Sequence, residues 1–251
     1  MVNSMPGPRS MILLCIVAAA SLVAAQSPAT TPKITSVSKI TTAQHQTITI
    51  TGTGFGTHSA YTGTTKFISL YDSTKKWEAG FSPDLDTVTL IVNSWTNTKI
   101  TLGGFAGKWG TQNFTLAVGD KEDIKIWNAQ SSGGTEGGSC GSSCASKTVT
   151  VVAAATSTEI HSSPNPSVYG QPVRLTAVVT SGDGAPPDGG KVLFMRGEEV
   201  LGSGTLRGGV AHFTISSLDF GTHSINAVYQ GDADFAGTRD EDSARLTHTV
   251  N

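Results

Sequence analysis

The sequence predicts an all-β chain built as two tandem sandwiches behind an export signal, and three observations predict it. Charged residues are sparse at 14% while glycine is abundant at 29 residues, a mix that favours short strands and many turns over helices. Apolar residues alternate with polar ones in short runs bounded by Gly, Asp, Asn or Ser, and no long stretch after residue 25 carries apolar residues at helical spacing. The chain opens on a basic residue, Arg9, followed by the apolar run Met11 to Ala25.

That opening run reads as a signal peptide over residues 1–25. It is shorter than the roughly 20 residues a membrane-spanning helix needs. Val23-Ala24-Ala25 offers small residues where a signal peptidase reads, which places the cut before Gln26. Leu14 before Cys15, with apolar residues continuing after it, argues against a lipoprotein cut. The mature chain is therefore expected outside the cytoplasm, secreted or at the cell surface, with no membrane span. A formal net charge of −2 and the lack of any Lys/Arg run leave nothing for nucleic acid to bind.

The first sandwich is expected over residues 26–152. Lys33 to Ser38 starts it. Gln46 to Thr53 alternates cleanly, with Ile48 and Ile50 on one face and Thr47, Thr49 and Thr51 on the other, and Gly52, Gly54 and Gly56 end it. Further strands are expected at 66–71, 76–81, 86–92, 98–104, 113–118, 123–128 and 147–153. A short link at 153–156 leads to the second sandwich, 157–251. There the inward rows are Val173, Leu175, Ala177 and Val179; Val192 and Phe194; Ala211, Phe213 and Ile215; Ile225, Ala227 and Tyr229; and Leu246 with Val250. With Ser157 to His161 and Glu199 to Leu206 this makes about seven strands, the size of an immunoglobulin-like sandwich.

The second sandwich also resembles the bacterial Ig-like repeat family. Asn165-Pro166, Tyr169-Gly170-Gln171-Pro172, Gly221-Thr222-His223 and Tyr229-Gln230-Gly231-Asp232 occur in that family's order. The resemblance implies an extracellular β-sandwich, of a kind found in surface and adhesion proteins, without catalytic residues. The first sandwich resembles the IPT/TIG family through Pro32-x-Ile34-x-Ser36-Val37, the run Ile48 to Gly56, and Asn93 to Leu102. It departs from that pattern in Lys39, where proline is usual, and in its extra length between Gly56 and Asn93 and near its end.

Two cysteines remain after residue 25, Cys140 and Cys144, in a Gly/Ser-rich stretch. An even count in an exported chain favours a disulfide. A metal site is the rival, but no histidine lies between His58 and His161 to complete one. The four tryptophans, Trp77, Trp95, Trp109 and Trp127, all fall in the first sandwich. Trp77 shares a face with Ala79 and Phe81 and is expected in the core, and Trp95 sits in a turn with a structural part. Trp127 points away from Ile124 and Ile126, and Trp109 lies in a Gly-rich loop. These two are the expected surface aromatics and ligand contacts, since exposed rings serve as stacking platforms for sugars.

Other candidates read as structural. Asp232 and Asp234 begin like a calcium loop, but Ala236 stands at the fifth position and Ser243 at the twelfth, so the bidentate carboxylate is missing. His58 and His223 belong to no catalytic motif, although Phe-Gly-Thr-His-Ser occurs around both. Asp84 and Asp86 suit a turn. The sequence thus points to a non-catalytic protein for adhesion or carbohydrate contact, with no cofactor and no metal. The partner expected is a polysaccharide or another cell-surface component. A passive spacer or coat protein is the alternative, and an extracellular hydrolase a weaker third.

Overall fold

The structure, a computed structural model, describes residues 30–81, 88–134, 140–184, 186, 188–238 and 243–251. The predicted signal peptide lies outside them. Among the described residues there is no helix, and the secondary structure is sixteen β-strands.

Nine strands come first: β1 (Lys33–Val37), β2 (Ile48–Thr53), β3 (Tyr61–Gly63), β4 (Ile68–Asp72), β5 (Trp77–Ala79), β6 (Val88–Trp95), β7 (Lys99–Gly107), β8 (Lys121–Trp127) and β9 (Cys144–Thr150). They pair in the order β1-β2-β7-β6-β5-β4-β8-β9, with β3 against β6. One parallel pair, Ala79 with Val88, is the hinge of this arrangement, because among the described residues it alone pairs β1-β2-β7-β6 with β5-β4-β8-β9. The two halves fold over a common core. Ile48, Ile50, Leu90, Ile100 and Leu102 from one half and Ile68, Leu70, Ile124 and Ile126 from the other are fully buried in it. The turn after β2 shows why glycine recurs there. Gly54 and Gly56 have φ of 74° and 70°. The Gly56 amide donates to Asn97 Oδ1 at 3.0 Å and Asn128 Nδ2 donates to the Gly54 carbonyl at 2.8 Å.

Seven strands follow: β10 (Thr156–Ser163), β11 (Val173–Ser181), β12 (Lys191–Arg196), β13 (Glu199–Thr205), β14 (Val210–Ile215), β15 (Gly221–Tyr229) and β16 (Arg245–Val250). They form a three-stranded sheet, β10-β11-β14, and a four-stranded sheet, β13-β12-β15-β16. Every pairing within these two sheets is antiparallel. Val173, Leu175, Ala177, Val179 and Ala211 of the first sheet share a core with Val192, Phe194, Ile225, Ala227 and Tyr229 of the second. Phe213 and Leu246 are half-buried at its margin. Between the two sets, the Ala154 amide donates to the Asp234 carbonyl and the Ala236 amide to the Ala154 carbonyl, each at 2.8 Å.

One strand expectation is corrected, and one strand is added. Residues 113–118 are not a strand but successive turns, with Phe114 N donating to Thr111 O at 3.0 Å and Asp120 N to Ala117 O at 3.0 Å. Side chains pin this segment. Asp120 Oδ2 accepts from the Ala117 amide at 2.7 Å, and Lys75 Nζ donates to the Thr115 carbonyl at 2.8 Å. Conversely, β3 is a strand the alternation did not reveal, since three residues are too few to show a period.

Trp127 is the larger correction. Strand parity places it on the face away from Ile124 and Ile126, yet it is only 3% exposed. The outer face is roofed at that point. Its cross-strand partner is Cys144, which is disulfide-bonded to Cys140. The Phe81 ring lies 5.2 Å away. Gly134 packs so closely that a Cβ there would meet the indole at 2.7 Å. Trp127, Phe81 and Cys144 form a second small core outside the main one. Trp127→Ala should therefore lower the unfolding free energy by about 3–5 kcal/mol, the cost of emptying a buried indole site. A urea titration followed by circular dichroism measures it, and a loss of under about 0.5 kcal/mol is what a surface position would give.

Candidate functional site

The structure draws most of the expected site residues inward. Trp77 is buried, as its strand position implies; Trp95 is buried too, where register shifts at Ile91/Val92 and Val92/Ser94 turn it inward, and its Nε1 donates to the Phe55 carbonyl at 3.1 Å. Trp109 is half-buried. Its ring stacks on Phe105 with centroids 4.5 Å apart and meets Trp77 edge-on at 5.9 Å. His58 sits among rings, 4.9 Å from Tyr61 and 5.9 Å from Trp95, with Nδ1 2.8 Å from the Ser59 carbonyl. Among the described residues no carboxylate contacts it, so it has the surroundings of a packing residue. Asp84, Asp86, Asp240, Glu241 and Asp242 lie outside the described residues.

Asp232 is occupied by its own turn. Oδ1 accepts from the Asp234 and Phe235 amides, each at 2.8 Å, and Oδ2 accepts from the Tyr229 hydroxyl at 2.6 Å. Burial disfavours its charge, but these hydrogen bonds outweigh that and hold the carboxyl below its ordinary value. Burial, and then the same bond, push the Tyr229 hydroxyl up. Gly231 completes the turn at φ 78°, where a Cβ would meet the Gly237 amide nitrogen at 2.6 Å. The Tyr-Gln-Gly-Asp signpost is thus a folding device: a buried tyrosine bonded to the carboxylate that shapes the turn.

The exposed rings are elsewhere. Tyr169 is 58% exposed and Phe220 69%. They stack on each other, with centroids 4.7 Å apart and planes 11° from parallel. Val168 beside them is 59% exposed. The pair stands at one end of the second sandwich, Tyr169 on the β10–β11 loop and Phe220 just before β15. The first loop is tied along β16. Ser167 N donates to Thr249 O at 2.9 Å, Asn251 N to Ser167 O at 2.8 Å, and Tyr169 N to Asn251 O at 3.0 Å. Asn165 adds its side chain, giving to Thr247 O at 2.9 Å and accepting from Thr249 N at 3.1 Å. Sequence reading missed this pair because it weighed only tryptophan. The signal was there in part: counting the inward row Tyr229, Ala227, Ile225 back along β15 puts Phe220 out of phase with the core.

A second polar arrangement lies inside the first sandwich. Trp77, Asp72 and Glu122 form one row across β5, β4 and β8. Asp72 Oδ1 accepts from the Thr74 and Lys75 amides at 2.7 and 2.8 Å. Asp72 Oδ2, both Glu122 oxygens and Trp77 Nε1 are buried without a hydrogen-bond partner. Lys75 Nζ stands 3.1 Å from Asp120 at the rim. Burial first, then the neighbouring carboxylates of Asp72, Asp120 and Asp123, push Glu122 up to about 8, with Lys75 opposing. Among the described residues no group of three or more His, Cys, Asp or Glu side chains is gathered closely enough to hold a metal ion.

The geometry defines an all-β protein whose second half is an Ig-like sandwich. Residues 160–251 match the family model for the bacterial Ig-like domain (group 3). A search of curated proteins gives no match. Among solved structures, the fibronectin(III)-like modules of Clostridium thermocellum CbhA share 14% identity at a TM-score of 0.33, over 88% of this chain and 94% of that one. The Yersinia pseudotuberculosis adhesin InvE shares 13% at 0.32, over 88% and 58%. The Escherichia coli adhesin FdeC shares 15% at 0.31, over 88% and 63%. The chain thus spans less than two thirds of either adhesin structure. The strand pairings above, rather than these superpositions, define the fold.

Glu122 gives a signed pH prediction. Its value in the folded chain is raised to about 8 from 4.5. Folding therefore takes up a proton between those limits, and the stability the group contributes is present below 4.5 and lost as pH rises through 8. Glu122→Gln cannot ionise. The variant should gain on the wild type as pH rises, by about 5 kcal/mol at pH 9. Urea midpoints measured at a series of pH values test this, and a gap that does not widen with pH contradicts it.

Proposed function

We propose that the chain is a non-catalytic Ig-like protein of the cell exterior that contacts a surface component through the stacked rings of Tyr169 and Phe220, with polysaccharide as the chemical class. The observation that carries this is the ring pair itself: two aromatic side chains held together and left more than half exposed. A flat aromatic face offers apolar area to the C–H face of a pyranose, and a ring with few rotatable bonds loses little entropy on binding. Val168 extends the apolar surface, and an exposed apolar cluster of this kind marks interaction sites. Trp109 is a lesser contact, because one of its faces is spent on Phe105.

Placement outside the cytoplasm draws on the signal-like run over residues 1–25 and on the Cys140–Cys144 pair, which belongs to an oxidising compartment. We take residues 26–152 as an IPT/TIG-like sandwich, 153–156 as a link and 157–251 as the bacterial Ig-like sandwich. The buried Trp95 in its Ser-Trp-Thr turn supports the first assignment.

Phe220→Ala should weaken binding to a responsive polysaccharide about tenfold, and Tyr169→Ala comparably, with little change in unfolding midpoint. Affinity electrophoresis in cellulose, chitin or peptidoglycan fragments, extended by a glycan array, checks this. Wild-type protein that binds none of these and no host surface would sink the reading and leave a passive spacer.

A further inference from the structure

At one end of the first sandwich a lysine and an aspartate from distant parts of the chain meet beside a buried glutamate. Lys75 Nζ, in the turn between β4 and β5, lies 3.1 Å from Asp120 Oδ2, with the two side chains 25% and 7% exposed. Asp120 precedes β8. The Val151 amide donates to its carbonyl at 2.9 Å, which extends the β8–β9 ladder one step beyond Lys121 and Thr150. Alternation along that ladder puts Asp120 on the same face as Glu122, two positions on. Ile124 and Ile126 continue this face into the core. Glu122 is fully buried, and neither of its oxygens has a hydrogen-bond partner among the described residues. Asp120 and Lys75 are both near enough to act on its charge.

The contact is suited to covalent chemistry. Taking an ion pair out of water is costly, and passing one proton from the ammonium to the carboxylate leaves a neutral amine facing a carboxylic acid. That transfer is internal to the pair and takes no proton from solvent. A nitrogen 3.1 Å from a carboxyl oxygen is near the separation of about 3–3.5 Å from which attack on the adjacent carbon begins. Lys75 Nζ is aimed by the bond it donates to the Thr115 carbonyl at 2.8 Å. Asp120 Oδ2 accepts from the Ala117 amide at 2.7 Å. An amide N–H so placed stabilises the negative charge that grows on this oxygen as the nitrogen adds. Burial, then the neighbouring carboxylates, push Glu122 up to about 8. At neutral pH it therefore holds a proton to give and, once it has given it, accepts another.

We propose that Lys75 and Asp120 become joined by an isopeptide bond within the folded chain, with Glu122 carrying the protons. The Nζ–Cγ bond forms as the carbonyl electron pair moves onto Oδ2. Glu122 gives its proton to the Oδ1 hydroxyl and takes one from the nitrogen. The Cγ–Oδ1 bond then breaks, the Oδ2 carbonyl re-forms, and one water leaves. Amine plus acid becomes amide plus water, and Glu122 ends as it began. The amide keeps one N–H, which still faces the Thr115 carbonyl. This bond is independent of any contact made by Tyr169 and Phe220. Its consequence is mechanical. Tension on the ends of the chain passes directly from residue 75 to residue 120, so the segment between them, with β5, β6 and β7, bears no load. That segment contains the Ala79–Val88 pairing that joins the two halves of the first sandwich.

Mass spectrometry of the full chain, with its disulfide reduced, tests this. The folded protein should weigh one water less than the sequence it carries. Trypsin should fail to cut after Lys75, and peptides 67–76 and 109–121 should emerge as one branched species, lighter than their sum by one water. Lys75→Arg keeps a cation beside Asp120 but offers a poor nucleophile, and Asp120→Ala removes the acceptor. Both should show the full mass and separate peptides. Glu122→Gln cannot exchange protons in this way and should also keep the full mass. Far-UV circular dichroism checks that each variant is folded, and the branched peptide of the wild type decides even where a variant fails to fold. A wild-type chain at full mass, cut normally after Lys75, overturns the proposal. So does a loss of water that persists in Lys75→Arg or Asp120→Ala, which places the dehydration elsewhere, or one that persists in Glu122→Gln, which removes the proton carrier assigned here.

Discussion

Side-chain alternation along a strand gives each sheet one face to bury, and both sandwiches exist because that face has somewhere to go. In the second sandwich the rows Val173–Val179 and Ile225–Tyr229 close on each other from opposite sheets, and no disulfide crosses between them; the Cys140–Cys144 bridge lies in the first sandwich and spans four positions. Apolar burial, at roughly 25 cal/mol per Å², must therefore hold the two sheets together. The first sandwich has the same dependence with a weaker seam. Among the described residues its halves share a single paired position, Ala79 with Val88, so the shared core does the work that a continuous ladder would otherwise do.

Alternation was also what made the fold legible. The seven strands of the second sandwich and their inward rows could be read from Val173, Phe194, Ala211 and Tyr229 outward, because each row is long enough to show its period. The first sandwich was less open to reading where local pattern and long-range contact disagree. Residues 113–118 alternate like a strand but are held as turns by Asp120 and Lys75, from different parts of the chain. Trp127 shows the same limit. Parity assigns its direction correctly, but whether an outward face meets water depends on Phe81, Gly134 and Cys144, whose approach no local pattern encodes. The exposed rings were hidden for the opposite reason: Tyr169 lies in a turn and Phe220 before a strand, where alternation has no say.

Both cores admit ionisable groups, and they do so on the same physical terms. Glu122 is kept protonated and His248 unprotonated by the one principle that burial favours the neutral form, so the carboxyl moves up and the imidazole down. Their surroundings differ. Glu122 has two unpartnered oxygens among other carboxylates, which makes it a source of strain on stability. His248 has a serine at each ring nitrogen, so its neutral form is fully bonded and the cost of burial falls only on its charged form. That asymmetry lets the imidazole sit inside the core without weakening the chain at neutral pH.

The location of the rings follows from how the sheet edge is covered. β16 is an outer strand, and an uncovered edge invites pairing with another chain. Here residues 165–169 run beside it, with Ser167 paired to Val250 in parallel and Asn165 bonded to the backbone on either side of His248. Once that segment is spent on the edge, it cannot also fold its side chains over the end of the core. Val168 and Tyr169 are left facing solvent, and Phe220, arriving at the head of β15, finds Tyr169 as its neighbour rather than the interior. Covering the edge and exposing the rings are thus one structural choice.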